Sequence, residues 1–415
     1  MRLNIDPKKE PFIRVGIILP EDQQKSITIK FGDSGDYKFT PELQNNITSS
    51  LEFICRGNLI CTGTLVAKEF QIEQKRKEFD NNKPLTLGPV TTGRGFHWEK
   101  QIDVQLPGDL EITSRNGFLM VVNTVPAEQY LMCVATSEMS SDCPRAFMEA
   151  QTIAARSWLF ANVEKKHADL EIDVCNDDCC QRYQGASGVN ELSKTVTTST
   201  HGKVLVYNNA ICDARYSKSC GGITEAGVNV WPQEDLDYLV SIQDGEQAFC
   251  GPDFISDSNL YKYLGSVDEH QSYFRWNYKI SQKEIIVHMN KIHFLNGEVV
   301  IGIENEKRGS SGRILFCDIV YVDSNNQQQT KHLESEYSIR QTLSPSFLFS
   351  SAFKMKPQNI QKGVPGSFSF EGKGWGHGAG MCQIGALGMA LNGTSTESIL
   401  THYFPKAKLT QVYSS

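Results

Sequence analysis

Apolar and polar positions alternate through the first third of the chain. Arg14–Leu19, Ser26–Phe31 and Ser50–Cys55 carry β-branched or apolar residues with a period near two, and Gly, Asn and Asp turns separate them. This pattern predicts strands. Gly93–Glu99, GRGFHWE, closes a Thr/Gly-rich turn and reads as strand entry. The texture changes at Asn116–Gly117. An apolar strand runs from Phe118 to Asn123, and helical spacing begins after it. Pro126 stands at the first helical position, where its missing N–H costs nothing. Leu131, Val134, Ala135 and Glu138 then fall at i, i+3, i+4 and i+7, so Glu138 ends the apolar stripe instead of lying on the wet face.

Pro144 opens a second helix to about Val163, whose small inner face (Ala150, Ile153, Ala154, Ser157) allows close packing. Val189–Thr200 reads as helical. Lys203–Tyr207 and Ala210–Tyr216 read as strands about an Asn208–Asn209 turn. Residues 250–350 mix strands (Val299–Glu304, Ile314–Val322) with helical stretches. Thr394–Glu397 fits a capping box, and its helix runs through Ile399 to Tyr403. The expected fold class is α+β: a β-rich N-terminal domain over 1–115, then a mixed helix/strand domain over 116–412 with a mixed sub-region at about 250–350.

Of the 415 residues, 40% are hydrophobic and 21% charged, which suits a packed core and excludes a disordered tail or a disulfide miniprotein. Lys and Arg number 41 against 48 Asp and Glu, a net charge of −7 with no basic run, so nucleic acid is not an expected partner. No stretch approaches the ~20 apolar residues of a membrane span. Arg14 interrupts the apolar run Phe12–Pro20, which reads as a strand and not as a signal peptide. As written, the chain reads as cytoplasmic.

Twelve cysteines is a high count, and most suit buried small hydrophobic positions. The segment Asp173–Gly185 is the exception. Cys175 and Cys179–Cys180 offer soft ligands at zinc-like spacing, and His167 is the nearest fourth donor. A disulfide or free thiols fit the same residues. A structural zinc here would pin the loop after the two helices; it would not activate water.

The most specific segment is Gly372–Ala386, GKGWGHGAGMCQIGA, with six glycines around Trp375 and His377. Gly allows close backbone approach to a ligand, or a tight turn buttressed by Trp375. No Gly-Lys-Ser/Thr follows, so it is not a phosphate loop. Tyr216, Ser217, Gly221 and Gly222 end a strand with small and hydroxylic residues, suited to sugar hydroxyls or to a bulge. Arg156 on the second helix would contact substrate, neutralise Glu138 or form a surface ion pair.

These segments carry a resemblance. Gly374–Ala386 resembles the C-terminal signature of the stage II sporulation protein D family (SpoIID/LytB), and Ile399–Phe404 is similar to that family's ending. So are Val125–Tyr130 leading to Ser137-Glu138-Met139, then Ala150–Ser157, then Tyr216–Gly222 with Thr224-Glu225. The motifs keep one order across 117–408. The resemblance implies a lytic transglycosylase that cleaves peptidoglycan between N-acetylmuramic acid and N-acetylglucosamine, on strands free of stem peptides. Its catalytic glutamate maps to Glu138, whose apolar surround would favour the protonated acid. A salt-bridged structural Glu138 is the competing reading. Hydrolysis would need a second carboxyl, for which Asp142, four residues on, is the candidate.

The same resemblance implies substrate contacts for Arg156, Tyr216, Ser217, Gly222, Trp375, His377 and Gln383, with His377 and Gln383 in one cleft with Glu138. It also supports zinc, although relatives carry His where this chain has Cys179. It brings an alternative function, a wall-binding protein that stimulates a cell-wall amidase. It further implies an extracytoplasmic location, in the cell wall or periplasm.

Overall fold

The alternating segments form strands with their apolar residues inward, as at Ser26–Phe31, where Ile27, Ile29 and Phe31 are buried. The computed structural model describes residues 9–43, 49–75, 84–96, 98–161, 165–232, 236–264 and 272–414. The chain forms two compact units. The first holds Met1–Val204, Tyr263–Asp268 and Leu409–Ser415, and the second Leu205–Lys262 and Glu269–Lys408. The fold is α+β, as expected.

In the first unit, one sheet runs Val174–Cys175, Phe12–Ile18, Phe118–Pro126, Asp109–Arg115, Glu69–Gln74, Tyr37–Thr40. A second runs Leu65–Ala67, Leu59–Thr62, Ser50–Arg56, Ser26–Phe31, Leu85–Thr92, Lys100–Leu106. Phe53 of the second meets Phe70 of the first edge-on at 5.3 Å, so the two sheets share one core. The boundary expected near 115 falls on the tight turn between Asp109–Arg115 and Phe118–Pro126. These are paired antiparallel strands of one sheet, so the chain does not leave its unit there.

Three helices follow in this unit: α1 (Ala127–Glu138), α2 (Arg145–Ala161) and α3 (Glu191–Ser199). Pro126 is the cap of α1, one position before the expected start, and its ring offers no acceptor for a helix N–H. Glu10 supplies the acceptor instead: its carboxylate takes the Glu128 N–H at 2.6 Å, a negative group at the helix's positive end. The end of α2 expected near Val163 lies outside the described residues, which carry the helix to Ala161.

One ion pair locks α1 to α2. Arg156, expected to meet substrate or Glu138, has 0% exposure and forks onto both oxygens of Glu128 at 2.9 and 2.5 Å. This corrects the sequence expectation: the small inner face of α2 draws the helices so close that the guanidinium is enclosed. Arg156 also donates to the Lys203 carbonyl at 3.0 Å. Glu128 accepts the Gly202 N–H at 3.2 Å and the Tyr413 hydroxyl. A Cβ on Gly202 would lie 2.2 Å from the Tyr413 carbonyl oxygen, so only glycine lets the C-terminal segment in this close.

The second unit has its own core. Arg275–Ser281, Ser367–Lys373 and Phe353–Gln358 form one three-stranded sheet, and Gly297–Arg308, Ile314–Asp323 and Gln328–Leu333 another. Trp276, Met289, Ile319, Leu343 and Phe370 pack in the same apolar cluster. The last helix, Thr396–Tyr403, is capped by Ser395, whose hydroxyl takes the Ser398 N–H, and not by Thr394 as expected. No helix among the described residues is long and apolar enough to cross a membrane.

Replacing one partner of the buried pair strands the other charge. Arg156→Met is expected to destabilise the protein by about 3–5 kcal/mol, read from the urea midpoint. Adding Glu128→Leu should cost less than the two single changes summed, because it removes the stranded charge. An unchanged midpoint in the single variant would remove the pair from this role.

Candidate functional site

Glu138 is the last residue of α1, and the chain turns extended at Met139. Its side chain is 8% exposed. Oε1 accepts the backbone N–H of Arg182 at 3.1 Å, which fixes the carboxylate's direction. The neighbouring Ser137 hydroxyl donates to the Cys133 carbonyl at 2.8 Å and accepts the Gln184 N–H at 3.1 Å. Tyr130, two turns earlier, stacks on Tyr183 with centroids 5.0 Å apart. Loop 181–184 therefore lies along the end of α1. Asp142 does not continue the helix. It is exposed in the following turn, where its N–H meets the Ser140 hydroxyl, so the i, i+4 relation to Glu138 does not form.

The cysteine segment holds that loop. It starts as the short strand Val174–Cys175, added in parallel to the edge strand Phe12–Ile18. Cys175 and Cys179 sulfurs lie 3.0 Å apart, and Cys179 Sγ is 3.6 Å from His167 Nε2. The four donor atoms of His167, Cys175, Cys179 and Cys180 all lie within 4.8 Å of one another. Hydrogen bonds from Cys175 and Cys180 draw the Cys179 thiol well below its ordinary range. Gly93, Arg94 and Trp98 meet the same loop. Asp177 accepts the Gly93 and Arg94 amides at 2.9 and 2.7 Å, and the Arg94 guanidinium bridges Asp22 and Asn176 at 2.6 and 2.7 Å. Asp178 accepts from Trp98 Nε1 at 3.1 Å and from Arg182 Nε at 2.5 Å. A continuous chain of contacts thus runs from the β-rich region through the cysteine loop to Arg182 and Glu138. Nothing in the sequence marks Arg182, whose contribution to Glu138 is a backbone amide.

The glycine-rich segment lies in the second unit. Gly374, Gly376, Gly378 and Gly380 all take positive φ, alternating with Trp375, His377 and Ala379. A Cβ on Gly378 would lie 2.2 Å from Arg313 Cζ, and one on Gly380 2.0 Å from the Arg215 carbonyl oxygen. The glycines admit other protein groups here, as the tight-turn reading expected. Trp375 bridges to Ser219 and stacks on Phe349 at 4.3 Å. His377 Nδ1 accepts the Ala379 N–H at 3.1 Å, and its ring meets Trp231 at 4.8 Å, which in turn carries the Arg215 guanidinium 3.8 Å above it.

Tyr216–Ser217 pairs in parallel with Met381–Cys382, so two motifs 165 residues apart in register meet here. Tyr216, Gly222, Trp375 and His377 are half-buried. The Ser217 hydroxyl is enclosed, a correction to the sugar contact expected of it, because its strand end is roofed by the glycine segment. Gln383 is buried at the first turn of the helix Gln383–Leu391. Glu138 belongs to the first unit, and His377 and Gln383 to the second.

Burial, with Arg215 and Arg313 nearby, holds His377 well below its ordinary value of 6.5. The unfolded chain therefore takes up the proton first, and stability falls as pH drops below about 6.5. The His377→Gln variant should lose this dependence between pH 7.5 and 5.5 when urea midpoints are compared. An equal slope in both proteins would contradict it.

Comparison with known proteins bears on this arrangement. Residues 115–207, which contain α1, α2 and the cysteine loop, match the family model described as Stage II sporulation protein. Residues 225–380 match a domain of unknown function (DUF8618). An uncharacterized protein of Brachyspira hyodysenteriae is 26% identical over 89% of this chain and 84% of its own length. An amidase enhancer of Bacillus subtilis is 27% identical over 67% of this chain, which spans only 40% of that relative. Stage II sporulation protein D of Bacillus amyloliquefaciens is 24% identical over 71% of this chain and 76% of its own length. With α1 and α2 inside the matched segment and its motifs in that family's order, residues 115–207 form a Stage II sporulation protein domain, and the chain is similar to stage II sporulation protein D over most of its length.

Proposed function

We propose that this protein cleaves peptidoglycan glycan strands as a lytic transglycosylase, with Glu138 as its one general acid and base. The observation that carries the reading is the carboxylate at the end of α1, nearly enclosed and aimed by the Arg182 amide. In the reaction, Glu138 gives its proton to the glycosidic oxygen between N-acetylmuramic acid and N-acetylglucosamine. The bond breaks through an oxocarbenium-like state. Glu138, now a carboxylate, takes the proton of the muramic acid 6-hydroxyl as that oxygen attacks the anomeric carbon. A 1,6-anhydro ring results, and Glu138 is again protonated. The ring closure needs no water, so no second carboxylate is required, in contrast to hydrolytic pairs.

His167, Cys175, Cys179 and Cys180 would hold one zinc, since three thiols and an imidazole within 4.8 Å are the donor set of a closed structural site. Its chemistry there is cross-linking: the ion fixes the loop from which Arg182 reaches Glu138. Elemental analysis of Cys175→Ser should find one zinc fewer than in the parent, and an equal count would set the assignment aside.

A second reading has a specific support, the likeness to an amidase enhancer. In it the protein binds the wall and stimulates an amidase without cutting glycan. One experiment separates the two. Purified protein is incubated with glycan strands, with and without stem peptides, and the products are weighed by mass spectrometry. Release of anhydro-muropeptides, reduced about 10²-fold or more in folded Glu138→Gln, is the expected result. Binding without cleavage, or equal cleavage by the variant, would overturn the enzymatic reading.

A further inference from the structure

The second unit contains another group of side chains able to ligate a metal, drawn from positions scattered along the sequence. Cys220 follows the strand Tyr216–Ser217, Asp244 and Cys250 bound a turn, and Cys382 caps the helix Gln383–Leu391. All four are buried, and their donor atoms lie within 4.8 Å of one another. The Cys220 and Cys250 sulfurs are 3.7 Å apart. Two thiolates bound tetrahedrally to zinc at about 2.3 Å stand about 3.8 Å apart, whereas a disulfide requires about 2.05 Å. So tight a set encloses one ion and has no room for an iron–sulfur cluster.

The surroundings suit thiolates. Cys382 Sγ accepts the amides of Cys220 at 3.2 Å and Gly385 at 3.3 Å, and Cys220 Sγ accepts that of Gly222 at 3.3 Å. Neutral thiols are weak acceptors, so three amides aimed at two sulfurs favour the charged form. Asp244 is oriented from outside: Oδ1 accepts the Tyr403 hydroxyl at 2.5 Å, and Oδ2 the Cys250 amide at 2.9 Å. Ligating carboxylates are held by such outer partners. Gly385 makes space for it, since a Cβ there would lie 2.6 Å from Asp244 Oδ1. Among the described residues no Lys, Arg or His forms a salt bridge with Asp244, and a bound cation would favour the charged form of this buried carboxylate. Two arginines line the group's rim. Arg313 donates to the carbonyl of Cys220 at 3.2 Å, and Arg275 to that of Gly221 at 3.0 Å.

We propose that Cys220, Asp244, Cys250 and Cys382 form a zinc site in the second unit, separate from the His167 cluster. Three thiolates and a carboxylate are a borderline-soft tetrahedral set, the kind that selects zinc. All four coordination positions are filled by protein, so the ion is structural. It staples three segments far apart in sequence and thereby ties the two paired strands beside the glycine-rich loop together at their C-terminal end.

The test is native mass spectrometry with elemental analysis on the full chain, purified under reductant without chelator. The Cys175→Ser protein, in which the first cluster is broken, should retain one zinc per folded chain. Adding Cys250→Ser should remove it, and Asp244→Asn should release it at a lower chelator concentration. Cobalt added to chelator-stripped Cys175→Ser protein should give the visible bands of a tetrahedral thiolate site. A metal-free Cys175→Ser protein, or one lighter by two hydrogens from a Cys220–Cys250 disulfide, would overturn the proposal. If the double variant does not fold, the Cys175→Ser count and the cobalt spectrum decide alone. Loss of zinc at the first cluster only would leave this site standing, so the two assignments fail independently.

Discussion

The ion pair between Arg156 and Glu128 determines where Glu138 can be. Both charges are removed from water, and a buried charge left alone is costly, so the two helices cannot slide or separate without exposing or stranding one of them. Glu128 is also the acceptor for the Gly202 amide and the Tyr413 hydroxyl, which brings the chain after α3 and the C-terminal segment to the same point. Glu10 at the other side supplies the missing cap of α1. The helix is thus fixed near its first turn by groups from four parts of the sequence. Glu138, ten residues further along, inherits that position.

The opposite end of α1 is governed by a loop with little regular structure of its own. Loops of this kind keep one conformation when their polar groups are consumed by neighbours. Asp177 and Asp178 take up the Gly93 and Arg94 amides and the Trp98 ring N–H, and Arg182 joins Asp178 to the amide that meets Glu138. The β-rich region therefore has a structural part in the site. It supplies the edge strand on which Cys175 is laid down and the arginine that fastens the loop.

In the second unit the same problem is solved by small residues. Trp375 and His377 are held between glycines whose positive φ angles let Arg313 and the Arg215 carbonyl approach the backbone. The rigidity of this segment comes from stacking on Phe349 and from the bridge to Ser219. His377 is bonded within its own turn and is part of that framework.

The sequence by itself determined the strand pattern before residue 126, both helices after it, the family motifs in their order, and the Cys175–Cys180 group with His167. Each of these is a local signal: a period of two or 3.6, or ligands a few residues apart, written within one stretch of chain. Only the tertiary structure decided the rest. The domain boundary read at residue 115 is a hairpin turn, because a change of texture does not reveal which strands pair. Arg156 looked like a surface or substrate residue, because nothing near it in sequence announces Glu128, 28 positions away, as its partner. Arg182 acts through its amide, which every residue but proline possesses. Cys220, Cys250 and Cys382 are scattered single cysteines until three separate segments converge. Burial and long-range pairing depend on which surfaces meet, and that is a property of the folded chain and not of any window along it.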